Sequence, residues 1–400
     1  MRIALFADFN SSFARDWAQT IAAAGHEIRP FSSTQADTDL PDLELPQVWP
    51  TRIRSRLAGR GRTGGHVSDR PSRARFAGVE LASFASTCAA ARALRPAVER
   101  FRPDVVHSLR LPFETIAMHL VGLGTPLVGS VWGNDFTLHA EHSKAVGYLT
   151  RRTLAALDGL HADAERDLRL ALGNGLRDDV PTLFVPTSGG VPTDELLLDL
   201  PKAEAKRRLG VAADTTLVVN PRGLRSYIDT ESFPRAGFAL GSETMWFVDV
   251  AVGQREGWSH NEQELHLSSS LTTTGRLNRS ELFLLFRACD IVVSPSYHDG
   301  LPNSIAEAMG SGAAPILSDI ESTEHLISRS NGMVFDVAAR GGAGDLVSVL
   351  ERFDRAANYE LLARTNQDFV ADAFSRAAVV DAVDDWYHRV VERAPAATIA

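Results

Sequence analysis

The sequence predicts an α/β protein of two doubly wound domains, and three observations carry that expectation. Apolar runs of strand length alternate with helical patterns along most of the chain, as in parallel sheets covered on both faces. At 400 residues, the chain is longer than one hydrophobic core usually serves. Prolines, glycines and acids cluster from Pro186 to Pro201, and a new strand–helix rhythm starts at Leu217. The expected division is a first domain over 1–185, a second over 186–376, and a terminal helical segment over 377–400 that packs back toward the first domain.

The elements follow in order. Arg2 to Ala7 is a strand-like run, and Asn10-Ser11-Ser12 supplies N-cap residue types. Phe13, Trp17 and Ile21 then repeat every four residues beside Ala14, Ala18 and Ala22, which predicts a helix burying one stripe. Gly25 ends it, and His26 to Arg29 opens the next strand. Further strands are expected at Val105–Leu109, Leu127–Val131, Leu183–Val185, Leu217–Asn220, Trp246–Val250, Leu265–Leu267, Ile291–Ser294, Pro315–Leu317 and Met333–Phe335. The last helical pattern, Ala377 to Glu392, carries Val379, Val380, Val383, Trp386, Tyr387 and Val390. In such sheets ligands bind beyond the carboxyl ends of the strands, so a cleft between the domains is the expected site.

Composition narrows the function. The net charge of −9 argues against a general nucleic-acid partner. From Thr51 to Val79, however, eight arginines face a single acid, Asp69, leaving a local +7 and −16 on the rest. This Arg-rich stretch, residues 52–75, suits an anionic acceptor or the inner face of an anionic membrane, or else is a solvated, glycine-rich insertion. No apolar run makes a membrane span, and the opening MRIALFADFN reaches an acid at Asp8, so it reads as no signal peptide. Cys88 and Cys289 suggest neither a disulfide framework nor a zinc site, and the chain reads as cytoplasmic. The one Asp-x-Asp, Asp37-Thr38-Asp39, lies in a polar loop and makes a poor metal site.

The chemistry concentrates in IVVSPSYHDGLPNSIAE, residues 291–307. A buried strand ends at Ser294-Pro295-Ser296, and a Gly300-Leu301-Pro302 turn leads into a helix starting near Asn303. Amide groups at a helix start, aided by the helix dipole, form a ready phosphate site, and Gly300 admits close backbone approach. Glu307 lies about one turn in. Read locally, Ser304 and Glu307 also fit an S-x-x-E capping box, in which the acid only satisfies its own helix. Asp299 alone reads equally as a turn residue.

The wider pattern, SPS-x3-GLP-x4-EAM-x2-G-x2-P with NG-x2-FD at Asn331 to Asp336, resembles the retaining nucleotide-sugar glycosyltransferases of the GT-B fold (the group 1, family 4-like set). Their mark is two acids with seven residues between them, here Asp299 and Glu307, with aspartate where glutamate is usual. The opening MRIALFADFNSSFARDWAQTIAAAGHEI, PDVVHSL at 103–109, SVWGNDF at 130–136, GLHADAERDL at 159–168, SGGVP at 188–192 and NPRGL at 220–224 resemble further segments in the family's order.

The resemblance implies two Rossmann-like domains facing across a cleft, with a nucleoside-diphosphate sugar as donor, no cofactor and no metal. It assigns Glu307 to the ribose hydroxyls and Arg222 to the diphosphate. Asp299 and the backbone of Gly300, Leu301, Pro302 and Asn303 go to the donor sugar, and Asn303–Ser304 also to the phosphates. Asp135 is implied as an orienter of acceptor or donor hydroxyls, although it reads equally as an N-cap or turn acid. Asn10, Ser11, Trp132 and Asn134 are expected to line the acceptor side. His107 reads as a packed strand-end histidine rather than a base. The acceptor implied is a glycan, a lipid or a small molecule. Two departures stand out: Arg225 replaces a usual lysine out of place, and Trp132 stands where histidine is common. The alternatives are a sugar-nucleotide epimerase, a phosphorylase, or a degenerate, non-catalytic binding subunit. Lys144, Lys202 and Lys206, the only lysines, sit in no phosphate-loop context for a phosphorylase cofactor.

Overall fold

The computed structural model describes all residues except 37–39, 47–72, 134, 141–143, 187, 224–226, 251–266, 268, 276, 329, 343 and 394–400, and all described side chains except those at 73–81 and 138–140. Among the described residues lie two six-stranded, all-parallel sheets. The first contains β1 (Arg2–Ala7), β2 (Glu27–Ser32), β3 (Val105–Leu109), β4 (Leu127–Val131), β5 (Gly159–Ala162) and β6 (Thr182–Phe184), in the order β2-β1-β3-β4-β5-β6. The second contains β7 (Thr216–Asn220), β8 (Met245–Asp249), β9 (Leu271–Thr273), β10 (Ile291–Ser294), β11 (Ala314–Ser318) and β12 (Met333–Phe335), in the order β12-β11-β10-β7-β8-β9. The chain forms two compact units: Met1–Gly190 together with the chain from Arg376 onward, and Val191–Ser375.

Burial on both faces explains why the strands read as unbroken apolar runs. Ile3, Leu5 and Ala7 enter one core cluster, while their neighbours Ala4 and Phe6 enter another across the sheet. In the second unit Leu217, Val219 and Val292 pack on one face, and Val218, Ile291 and Val293 on the other. Alternate Cβ atoms point to opposite faces of a strand, so each run must be apolar throughout.

Helix α1 (Ser12–Ala23) buries Trp17 and Ile21 as its four-residue repeat predicts. Ser11 takes the N-cap place without a side-chain cap bond. The carboxamide of Asn10 instead donates to Asp8 Oδ1, Thr34 Oγ1 and the Gln35 carbonyl at 2.9, 3.1 and 2.9 Å. The terminal helix Arg376–Arg393 buries Val379, Val383, Trp386, Tyr387 and Val390 in the same core cluster as Trp17.

One strand expectation needs correction. No strand forms at Leu267, and residues 265–266 lie outside the described residues; the strand beside β8 is Leu271–Thr273. It is a short edge strand whose two threonines carry no apolar run. The strand expected to open at His26–Arg29 does so, running from Glu27 to Ser32 across Pro30. That is tolerated because β2 is the last strand of its sheet, where a missing N–H breaks no central ladder.

A polar chain crosses the core of the first unit. Trp17 Nε1, which can only donate, gives its hydrogen to His107 Nδ1 at 2.9 Å. His107 therefore carries its proton on Nε2 and donates to Ser130 Oγ at 2.8 Å. The Ser130 hydroxyl then donates to His161 Nδ1 at 2.9 Å, and His161 Nε2 to the Val185 carbonyl at 3.0 Å. Burial holds both imidazoles neutral: His107 is pushed well below its usual range and His161 down to about 4. His107 is thus a structural residue.

Gly189 closes this core. Its φ of +73° lies in the left-handed region, and a Cβ there would sit 2.1 Å from Trp17 Cε3. Gly189→Ala is expected to cost on the order of 2–5 kcal/mol, from backbone strain plus overpacking, and to lower the urea unfolding midpoint accordingly. An unchanged midpoint would mean the Trp17 ring has room to move.

Candidate active site

In the second sheet the chain order reverses between β7 and β10, which are adjacent and parallel. In doubly wound sheets such a switch point, beyond the carboxyl ends of the strands, is the usual ligand position. Strand β7 delivers Asn220, Pro221 and Arg222; β10 delivers Pro295 to Pro302 and then the helix Asn303–Gly310. The two loops are tied together, with Asp229 N donating to Pro295 O at 2.7 Å and Tyr297 N to Tyr227 O at 2.8 Å.

Pro302 is the N-cap of that helix, and its carbonyl accepts from Ile305 N at 2.8 Å. Ser304 thus lies inside the first turn, and the S-x-x-E capping box read at Ser304–Glu307 does not form. Such a box does occur at Asn278 and Glu281, where each side chain bonds the other's backbone. Proline lacks an N–H and a capping oxygen, so the first amides of the 303–310 helix, at Asn303 and Ser304, are left as donors. Asn303 is buried, and neither polar atom of its carboxamide has a partner. Glu307 is half-buried between the buried Ala306 and Ala308.

Arg222 stretches across this helix start. Its Nη2 donates to Asp299 Oδ2 at 2.5 Å and its Nη1 to Ser304 Oγ at 3.4 Å. Asp299 Oδ2 also accepts from Ser296 Oγ at 3.0 Å, and Oδ1 from Gly300 N at 3.2 Å. Behind Arg222, its own N–H donates to Asn220 Oδ1 at 3.1 Å, while Asn220 Nδ2 donates to Asp249 Oδ1 at 3.0 Å. Asn220 and Asp249 were not singled out from the sequence. The available signal was a polar residue closing each of two adjacent apolar strands.

Burial raises the Asp249 carboxyl to about 6, against the opposing hydrogen bond from Asn220. An acid with a raised folded pKa is ionised in the unfolded chain first, so it lowers stability as pH climbs from about 4 to about 6. Asp249→Asn should therefore gain stability relative to the parent over that window, by up to ~1.4 kcal/mol per pH unit, and level off above it. Denaturant titrations at pH 4, 5, 6 and 7 check this. A parent–variant difference independent of pH would place the ionisation elsewhere.

Arg222, Asp299, Gly300, Leu301, Pro302, Asn303, Ser304 and Glu307 are therefore brought together at one switch point of the second unit. Asn10, Ser11, Trp132 and Asp135 belong to the first unit, on loops leaving the carboxyl ends of β1 and β4. Asp135 is 1% exposed: its Oδ2 accepts from the Leu111 and Trp132 amides at 3.2 and 3.0 Å, and its Oδ1 lies 3.5 Å from Arg110 Nε. It ties the loop after β3 to the loop after β4. Trp132 is half-buried and packs edge-on to Phe13 at 5.7 Å, with the Arg110 guanidinium 5.7 Å from its ring. In the same region Glu114, in the short π-helical turn Leu111–Thr115 after β3, was also missed; burial lifts its carboxyl to about 7 while Ser33 donates to it at 2.7 Å. Asn134, Arg225, Asp37, Asp39 and the arginines at 52–70 lie outside the described residues. Among the described residues no group of three or more His, Cys, Asp or Glu could hold a metal, and no helix is long and apolar enough to cross a membrane.

Residues 247–352 match the family model described as "Glycosyl transferases group 1". Solved structures align over nearly the whole chain. Sucrose-phosphate synthase (tll1590) from Thermosynechococcus elongatus is 15% identical over 98% of this chain and 99% of that one, with a TM-score of 0.70. Anabaena Alr3699/HepE in complex with UDP-glucose is 14% identical over 96% and 98%, with a TM-score of 0.66. The UDP-forming α,α-trehalose-phosphate synthase of Burkholderia vietnamiensis is 13% identical over 98% and 100%, with a TM-score of 0.64. No curated protein sequence matches the chain significantly. Two Rossmann-like units with a helix-start site at the second sheet's switch point define a protein of the GT-B class. Within that fold, residues 247–352 carry the likeness to the group 1 glycosyl transferases.

Proposed function

We propose that the chain transfers a sugar from a nucleoside-diphosphate donor to a hydroxyl acceptor, with retention of anomeric configuration and without a metal. The observation that carries the reading is the convergence of the Arg222 guanidinium and the open amino end of the 303–310 helix at the second sheet's switch point. A diphosphate resting there meets backbone amides, the positive end of the helix dipole and a fixed cation. As the glycosidic bond breaks, negative charge grows on the diphosphate leaving group, and these preset donors stabilise it without reorganising. The Glu307 carboxylate suits the two ribose hydroxyls, because it accepts two hydrogen bonds from a cis-diol. The half-buried Trp132 and the exposed Asn10 suit the acceptor side, and Asp135 positions Trp132 through its amide rather than touching substrate. A uridine nucleotide is the favoured donor base, since Anabaena Alr3699/HepE is described in complex with UDP and with UDP-glucose.

Thermal-shift titration with UDP-, GDP-, ADP- and dTDP-sugars tests the reading, because a ligand that binds only the native state raises the melting temperature. At least one donor should do so, and transfer with that donor should persist in excess chelator. Loss of transfer on chelation would contradict the metal-free mechanism.

A further inference from the structure

Asp299 occupies the fork of the arginine that the diphosphate would need. Its Oδ2 lies 2.5 Å from Arg222 Nη2 and accepts from Ser296 Oγ, while Oδ1 is held by the Gly300 amide. A carboxylate has about four acceptor positions, and three are taken. The side chains of Arg222 and Asp299 are only 13% and 14% exposed, so water screens the pair poorly. Arg222 keeps a buried Nε with no partner and only a long 3.4 Å contact to Ser304, so its one close ionic bond is to Asp299.

We infer that Asp299 is a built-in counter-ion of the phosphate site: it holds Arg222 until a nucleoside diphosphate displaces it, and only then is its carboxylate released toward the donor sugar. The inference rests on the nucleotide-sugar reading above. A phosphate oxygen competes for the guanidinium with more charge than a single carboxylate and suits the planar fork equally well. Two consequences follow: an empty site is internally neutralised, and arrival of the diphosphate is coupled to freeing the acid beside it. The coupling predicts a sign opposite to that of a residue that simply binds substrate. Removing the Asp299 charge makes nucleoside diphosphate bind more tightly while transfer becomes slower.

The test is calorimetric titration of UDP, GDP and ADP into the whole chain and into Asp299→Asn, Ser296→Ala, Arg222→Ala and the Arg222→Ala/Asp299→Asn pair. For the diphosphate that the parent binds, D299N should tighten binding about tenfold, equivalent to ~1.4 kcal/mol. S296A, which loosens the hold on Oδ2 but keeps the charge, should shift it the same way by less, and decides the sign if D299N fails to fold. In the Arg222→Ala background the D299N gain should vanish, because there is no guanidinium left to compete for. Unchanged or weaker diphosphate binding in D299N, or a gain that persists without Arg222, overturns the inference. A parent chain that binds none of the three diphosphates removes the nucleotide reading itself, and the inference with it.

Discussion

Glu307→Ala lowers kcat/KM for the donor by about two to four orders of magnitude, and weakens binding of the nucleoside diphosphate by a similar factor. The size comes from two hydrogen bonds to a charged acceptor, each worth roughly 1.5–3 kcal/mol. Ribose contacts are made equally in the ground and transition states, so most of the loss belongs in KM rather than kcat. Glu307→Gln keeps one acceptor oxygen and should recover part of the affinity. The fold should survive, because the side chain is half-buried and the helix is started by Pro302 rather than by a Ser304–Glu307 box. Steady-state kinetics with the donor the parent accepts read the split directly. An unchanged kcat/KM and an unchanged affinity for the diphosphate would remove Glu307 from the site.

Arg222→Ala is the second large effect, and it falls on kcat. A fixed donor aimed at charge that develops in the transition state is worth on the order of 3–4 kcal/mol, or 10²–10³ in rate. Lysine should restore only part of this, since it offers a point charge in place of a planar fork. The alanine variant also strips a partly buried carboxylate, Asp299, of its cation, so some loss of stability accompanies the loss of rate. Single-turnover rates at saturating donor, with a parallel melting curve, separate the two. A variant as fast as the parent would show that the helix amides carry the leaving group alone.

Much of the fold was legible because buried parallel strands announce themselves. Arg2–Ala7, Val105–Leu109, Leu127–Val131, Ile291–Ser294 and Met333–Phe335 form as their apolar runs predict. Leu271–Thr273 was not, since a three-residue edge strand with two threonines carries no such run. Within the site, Arg222, Asp299 and Glu307 stood out through ordered motifs, and the geometry adds what spacing cannot hold. Arg222 and Asp299 bond across 77 residues of sequence, and Asn220 reaches Asp249 across 29. Local grammar misled at Ser304–Glu307, where the letters of a capping box start at the second residue of a helix whose N-cap is a proline. The same limit applies to Lys206, buried 2.6 Å from Asp290: nothing local marks that pair, because the two meet only when helix Lys202–Arg208 packs beside the strand starts.

The most direct measurement is a crystal structure of the chain with the nucleoside diphosphate it binds most tightly. Phosphate oxygens should lie within hydrogen-bond distance of the Ser304 amide and the Arg222 guanidinium, with the ribose diol on the Glu307 carboxylate. A nucleotide lodged away from the 303–310 helix, or a ribose that Glu307 does not reach, would contradict it.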